Sequence, residues 1–304
     1  LGTALDTITY GYADSRGWGD LLTSYDGRSF QYDEIGNLLS DGEWAYTWAK
    51  GCQLVSMTKL GSSLTFTYDA DGNRITKTVN GTTTTYTYVD GRVTHETNGT
   101  DTLHYRYDTN GTLLSMNLNG TEYYYLYNGQ RDVIGLYDAN GKVVVEYTYD
   151  AWGKPLTTTG SLASTVGAKN PYRYRGYRYD TESGLYALQS RYYNSSIGKF
   201  ICADSIFDGM NRPNGVNMLA YCRNRPVIMV DDTGCDAILL YEEPWEDALG
   251  GHIGALIEDE TGNWWYFYWG PDLSAPIMEQ ICGGREAETY CVEYSDSRDL
   301  ESIN

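Results

Sequence analysis

The chain has 304 residues and a mass of 34.2 kDa, a net charge of −19 and 41% hydrophobic residues, with 30 Tyr and 34 Gly against only 7 Pro. That length supports one large or two ordinary domains with a real core, and the Tyr, Thr and Gly content demands many short strands and turns, so a mainly β fold is expected. No apolar run approaches the roughly 20 residues of a membrane-spanning helix, six scattered Cys show no metal-ligand spacing, and no metal or cofactor is expected.

The chain opens at Leu1, already inside patterned sequence, and reads as a piece of something larger. Tyr32-Asp33 is followed by Gly36 and Asn37, Tyr68-Asp69 by Gly72 and Asn73, Tyr107-Asp108 by Gly111, and Tyr149-Asp150 by Gly153. Degenerate copies at Trp48–Gly51, Tyr88–Gly91 and Tyr127–Gly129 bring the period to about 20 residues, while Tyr137-Asp138 falls off the register. Each unit reads as two alternating strands joined by a turn. Asp at the turn start bonds nearby amides and Gly takes the positive φ, so these aspartates are assigned to turn chemistry, not catalysis. Asn-Gly-Thr occurs four times, at 80–82, 98–100, 110–112 and 119–121, and reads as hairpin turns more readily than as glycosylation acceptors. Such hairpins, unstable alone, are expected to stack into one continuous twisted sheet over residues 1–160. Cys52, Cys202 and Cys222 read as small buried thiols.

Beyond the repeats, NPYRYRGYRYDTESGLYALQSRYYNSSIGKFICADS (170–205) and NMLAYCRNRPVIMVDDTG (217–234) closely resemble the core domain that ends the Rhs/YD-repeat shell. That family includes bacterial polymorphic toxins and the C component of insecticidal toxin complexes. Arg175-Gly176, Asp180, Gly184-Leu185-Tyr186, Arg191-Tyr192-Tyr193, Gly198-Lys199-Phe200, Asp204, Asn217 to Tyr221 and Asn224 to Pro226 carry the match, which with the repeats covers about residues 1–234. The resemblance implies a spiralling β-sheet cocoon of stacked hairpins, plugged at one end by a core domain (161–234), around a C-terminal toxin. The repeats present here are too few to enclose a cavity unaided.

The resemblance further implies self-cleavage after a motif of the form Asp-Pro-x-Gly-Leu, which falls on Asp231-Asp232-Thr233-Gly234-Cys235, so that the cut separates Cys235 from Asp236. Asp204 is then the partner acid of Asp231, and Arg175 or Arg191 the supporting arginine. Two neighbouring carboxyls cannot both ionise easily, so one can activate water while the other protonates the leaving group. Here Asp232 replaces proline, Cys235 replaces leucine, and Ser205 and Phe207 stand where relatives have proline and glycine. The competing reading makes Asp204 and Asp231 caps of turns.

Residues 235–304 hold 16 acidic residues and two basic ones, Arg285 and Arg298, a charge of −14, against 25 acids and 20 bases before them. Acid of that density repels nucleic-acid backbones, so no nucleic-acid partner is expected. This segment is read as a small α+β effector domain that continues past the end of the sequence. Ile253–Ile257 and Trp264–Trp269 are predicted strands around a turn at 259–263. His252, at the start of the first strand, resembles the general base of a circularly permuted papain-like toxin, with Cys291 or Cys282 as nucleophile. A structural His and a metal ligand are the other two readings of His252.

The expected function is therefore a toxin-delivery shell, secreted or on a bacterial cell surface. Its partners would be its own C-terminal toxin domain, a cognate immunity protein, and a secretion apparatus or the cell wall. The alternative is a surface adhesin whose exposed tyrosines bind carbohydrate.

Overall fold

The computed structural model describes residues 8–13, 19–204, 217–227 and 229–231, and beyond them the backbone of four strands. It divides into two compact units, residues 1–205 with 218–227, and residues 206–217 with 228–304. The repeats and the segment 170–204 thus share one unit.

From Gln31 to Thr159 the Tyr/Thr alternation folds as a single sheet of fourteen strands, each antiparallel to its neighbours in the chain. The turns explain the repeat. At Asp69 the carboxylate Oδ1 accepts the amides of Asp71 and Asn73 at 3.0 and 2.8 Å, the Asp69 amide returns to the Asn73 carbonyl, and Gly72 sits at φ +84°. The same pattern recurs at Asp33, Asp108, Asp138 and Asp150. At 128–132 Asn128 replaces the carboxylate and Arg131, at φ +63°, takes the position of the glycine. The off-register Tyr137-Asp138 therefore builds the full turn, whereas Lys50-Gly51 and Asp90-Gly91 close as tight hairpins with positive φ at both residues.

The four Asn-Gly-Thr sequences divide. Asn80-Gly81 and Asn119-Gly120 are two-residue hairpins with both φ positive. Asn110-Gly111 lies inside an aspartate turn, and Asn98 instead accepts the amides of Thr100 and Asp101 on its side chain.

Each repeat aromatic marks a bulge. Strand register slips immediately before Trp48, Tyr68, Tyr88, Tyr107, Tyr127 and Tyr149, which bends the strand and increases local twist. The displaced ring then reaches back. The hydroxyls of Tyr68, Tyr88, Tyr107, Tyr127 and Tyr149 donate to the carbonyls of Leu54, Arg74, Val93, Leu113 and Val133 at 2.7–3.1 Å. Each acceptor is the residue paired with the preceding repeat's aromatic, as Leu54 is with Trp48 and Val93 with Tyr88. The tyrosine is thus a tie between consecutive bulges.

One face of the sheet is buried under the segment that follows it. Leu54, Met57, Leu64 and Phe66 pack with Leu185, Tyr192, Ile197 and Ile201, and Leu136, Val145 and Tyr147 pack with Val166 and Tyr172. Residues 178–200 form a small four-stranded antiparallel sheet of their own, Arg178–Asp180, Leu185–Ala187, Tyr192–Asn194 and Lys199–Phe200. Tyr174, Tyr177, Tyr193 and Phe200 gather around Tyr221, whose ring stacks on Tyr193 at 4.0 Å. This cluster fixes the 218–227 segment, because Tyr221 is fully buried.

In the second unit, Ile238–Tyr241, Ile253–Glu258, Asn263–Trp269 and Pro276–Gly283 form an antiparallel sheet in chain order. The predicted aromatic hairpin is present, with Ile257 opposite Trp265. Among the described residues no helix is long and apolar enough to cross a membrane.

Candidate functional site

Asp204 stands just past the last strand of the small sheet. Its segment is held on both sides: the Ile201 amide donates to the Tyr192 carbonyl, while the Phe200 and Asp204 amides donate to the carbonyls of Leu219 and Met218. Arg191 immediately precedes the neighbouring strand, and its Nη2 meets Asp204 Oδ2 at 2.9 Å. The Arg191 guanidinium also lies 3.7 Å from the Phe200 ring centroid and donates to the Met218 carbonyl at 3.3 Å. Both members of the pair are almost wholly buried, at 3% and 4% side-chain exposure. Taking two charges out of water is costly unless each is paired, and here they are.

The two candidate arginines have different surroundings. Arg175 adopts φ +54° ahead of Gly176 at +71°, a sharp turn that drives its side chain inward. Its Nη1 and Nη2 donate to the carbonyls of Gln130 and Pro226 at 2.8 and 2.5 Å, and its amide donates to Asp132. Arg175 therefore ties a repeat turn to the end of the 218–227 segment, and Arg191 is the arginine on Asp204. Asp231 is buried, at 3% exposure. Asp232, Cys235, Asp236, His252 and Cys291 lie outside the described residues, and of Cys282 only the backbone is described, paired with Trp264.

Asp180, a residue of the core motif, has a different task. Arg74 Nη1 and Nη2 meet its carboxylate at 2.5 and 3.1 Å, and Lys77 Nζ at 3.0 Å. Burial alone would raise this carboxyl, but the Arg74 and Lys77 charges hold it well below the usual carboxylate range. Arg178 pairs in the same way with Glu96 beneath the rings of Tyr86 and Tyr172. The sequence singled out Arg175 and Asp180 but not Arg178, Arg74, Lys77, Glu96 or Asp132, which look like ordinary strand and turn residues. Among the described residues no group of three His, Cys, Asp or Glu side chains is placed to hold a metal.

A family model described as the Teneurin YD-shell matches residues 14–227. The tRNA3(Ser)-specific nuclease WapA of Bacillus spizizenii is 42% identical over 220 residues, 70% of this chain and 9% of that protein. The tRNA nuclease WapA of Bacillus subtilis strain 168 gives the same identity and coverage. The chain thus spans about a tenth of the length of these relatives. Among solved structures, a Photorhabdus luminescens Tc holotoxin pore aligns with TM-score 0.54 at 17% identity, covering 75% of this chain and 13% of that one. A TcdB2-TccC3 structure without its hypervariable C-terminal region gives 0.54 at 18% identity with the same coverage. With a repeat sheet and core segment of this kind, and a family match over most of its length, the chain belongs to the Rhs/YD-repeat shell family.

Proposed function

We propose that this chain is the C-terminal part of a secreted toxin-delivery shell, in which the repeat sheet and its core segment carry and release an effector that begins after Gly234. The observation that carries the reading is the seating of 170–204 on the repeat sheet through the buried Arg74–Asp180 and Glu96–Arg178 pairs, a plug-like attachment that an open adhesive sheet does not need. The composition break at the same point supports it, since a charge of −14 accumulates after residue 234. The carbohydrate-binding alternative is weakened by the repeat tyrosines, which are half-buried and whose hydroxyls are spent on the sheet's own carbonyls.

Release is assigned to hydrolysis between Cys235 and Asp236 by Asp204 and Asp231. Arg191 stabilises the Asp204 carboxylate, which takes a proton from the attacking water, and Asp231 gives its proton to the leaving nitrogen. One water is consumed, and a carboxyl and an amine are left.

The effector is read as papain-like, with His252 as base and Cys291 as nucleophile, countered by a cognate immunity protein and exported by a secretion apparatus. Two WapA relatives are named as tRNA nucleases. Their alignments cover 70% of this chain, and the acidity beyond residue 234 argues against the same activity here.

Intact-mass measurement on the purified chain tests release: two fragments meeting at Cys235/Asp236 are expected, and neither Asp204→Asn nor Asp231→Asn should yield them. A single uncut 34.2 kDa species would refute self-cleavage. For the effector, the parent gene's segment beyond residue 234 is expressed in cells with no neutralising protein, and growth unaffected by it would end the toxin reading.

A further inference from the structure

Cys52 and Cys202 read in sequence as two isolated buried thiols, 150 positions apart (202 − 52). The fold brings them together. Cys52 lies in the turn after Lys50-Gly51, and its Sγ–H donates to the carbonyl of Ala203 at 3.3 Å. Cys202, the residue before that carbonyl, is fully buried, and its thiol is near enough to Cys52 for each to shift the other's ionisation. Cys52 is only partly buried, whereas Cys202 is wholly so.

We propose that Cys52 and Cys202 form a reversible disulfide that fastens the Asp204-bearing segment of the core to the repeat sheet. The inference stands apart from self-cleavage and from the nature of the effector, because it needs only the described thiols and a disulfide-type oxidant. Disulfides persist in oxidising compartments, so the bond belongs to the secreted state and the thiol pair to a reducing cytoplasm.

The electrostatics divide the labour between the sulfurs. The neighbouring Cys202 thiol and, more weakly, the Arg191 charge bring the Cys52 thiol down to about 7 against the opposing effect of burial. The nearness of Cys52, together with burial, pushes Cys202 well above the ordinary range. Cys52 is therefore the attacking thiolate at neutral pH and Cys202 the resolving thiol. The Cys52 thiolate attacks one sulfur of glutathione disulfide, expelling one glutathione thiolate and leaving a mixed disulfide. Cys202 then gives its proton to solvent and attacks Cys52 Sγ, expelling the second glutathione. Two protein thiols are oxidised, and one glutathione disulfide is reduced to two thiols.

The test uses the full chain in glutathione disulfide/glutathione buffers, followed by acid quench, alkylation and peptide mapping. A linked peptide pair carrying Cys52 and Cys202 is expected, with a thermal midpoint several degrees above that of the dithiothreitol-treated protein, as a long closed loop implies. Cys202→Ser should stop at a stable glutathione adduct on Cys52. Wild-type iodoacetamide labelling of Cys52 should be half-maximal near pH 7, a readout that does not depend on whether the variant folds. Both thiols remaining alkylatable under excess glutathione disulfide, an unresolved wild-type adduct on Cys52, or Cys52 labelling as an ordinary thiol near pH 8.5 would each overturn the proposal.

Discussion

Arg74 and Asp180 lie 106 residues apart in the chain and meet through two hydrogen bonds, the shorter at 2.5 Å, in a site where both side chains are buried. Lys77 completes the neutralisation from the same strand. The contact pins the small core sheet to the middle of the repeat sheet.

Asp180→Asn should therefore be costly, since it leaves the buried Arg74 with no carboxylate and Lys77 with only the more exposed Glu182. A loss of about 3–5 kcal/mol is expected from urea titration at pH 7. The pH dependence has a definite sign. The Asp180 carboxyl sits below its unfolded value of about 3.9, so its contribution is complete above that value and is lost as pH falls toward the folded one. The gap between wild type and variant should be constant from pH 7 to about 5 and should narrow below about pH 4.

The ties between bulges separate functional tyrosines from ornamental ones. Tyr107 donates to Val93 and contacts the hydroxyl of Tyr172 in the core segment, so Tyr107→Phe should cost about 1–2 kcal/mol. Tyr137, though followed by an aspartate turn, makes no such tie among the described residues. Tyr137→Phe should change the urea midpoint little, and equal losses at the two sites would contradict the role given to the hydroxyl.

Gly153 and Gly81 both have positive φ, at +84° and +89°, yet only Gly153 is crowded. A Cβ there would lie 2.4 Å from the Tyr174 ring, whereas at Gly81 it would meet open space. Gly81→Ala should cost about 1 kcal/mol from backbone conformation. Gly153→Ala should add a further 1–3 kcal/mol or so of overpacking, resolved by comparing thermal midpoints.

Arg175 holds the Pro226 carbonyl while Arg191 holds Asp204, so the two arginines should fail differently. Arg175→Ala is expected to accelerate hydrogen exchange selectively at 218–227. Arg191→Met leaves Asp204 buried without its cation and should lower global stability by about 3–5 kcal/mol. Identical exchange profiles for the two variants would show that the assignment is mistaken.

Much of the repeat sheet was legible from residue order alone. The Tyr-Asp-x-x-Gly spacing specifies a turn because every bond that closes it, from Asp69 to Asp71, Gly72 and Asn73, is local. Composition likewise marked the change at residue 234, and the core motif was readable as an ordered string. Within that string, however, the sequence did not distinguish Arg175 from Arg191, nor show that Asp180 serves attachment. Those assignments depend on partners such as Gln130, Met218, Arg74 and Lys77, whose types are ordinary and whose positions are set only when fourteen strands have fixed their registers. The two thiols show the same division. Sequence marked Cys52 and Cys202 as small buried side chains, and tertiary structure made them neighbours, because nearness in space does not follow from separation along the chain.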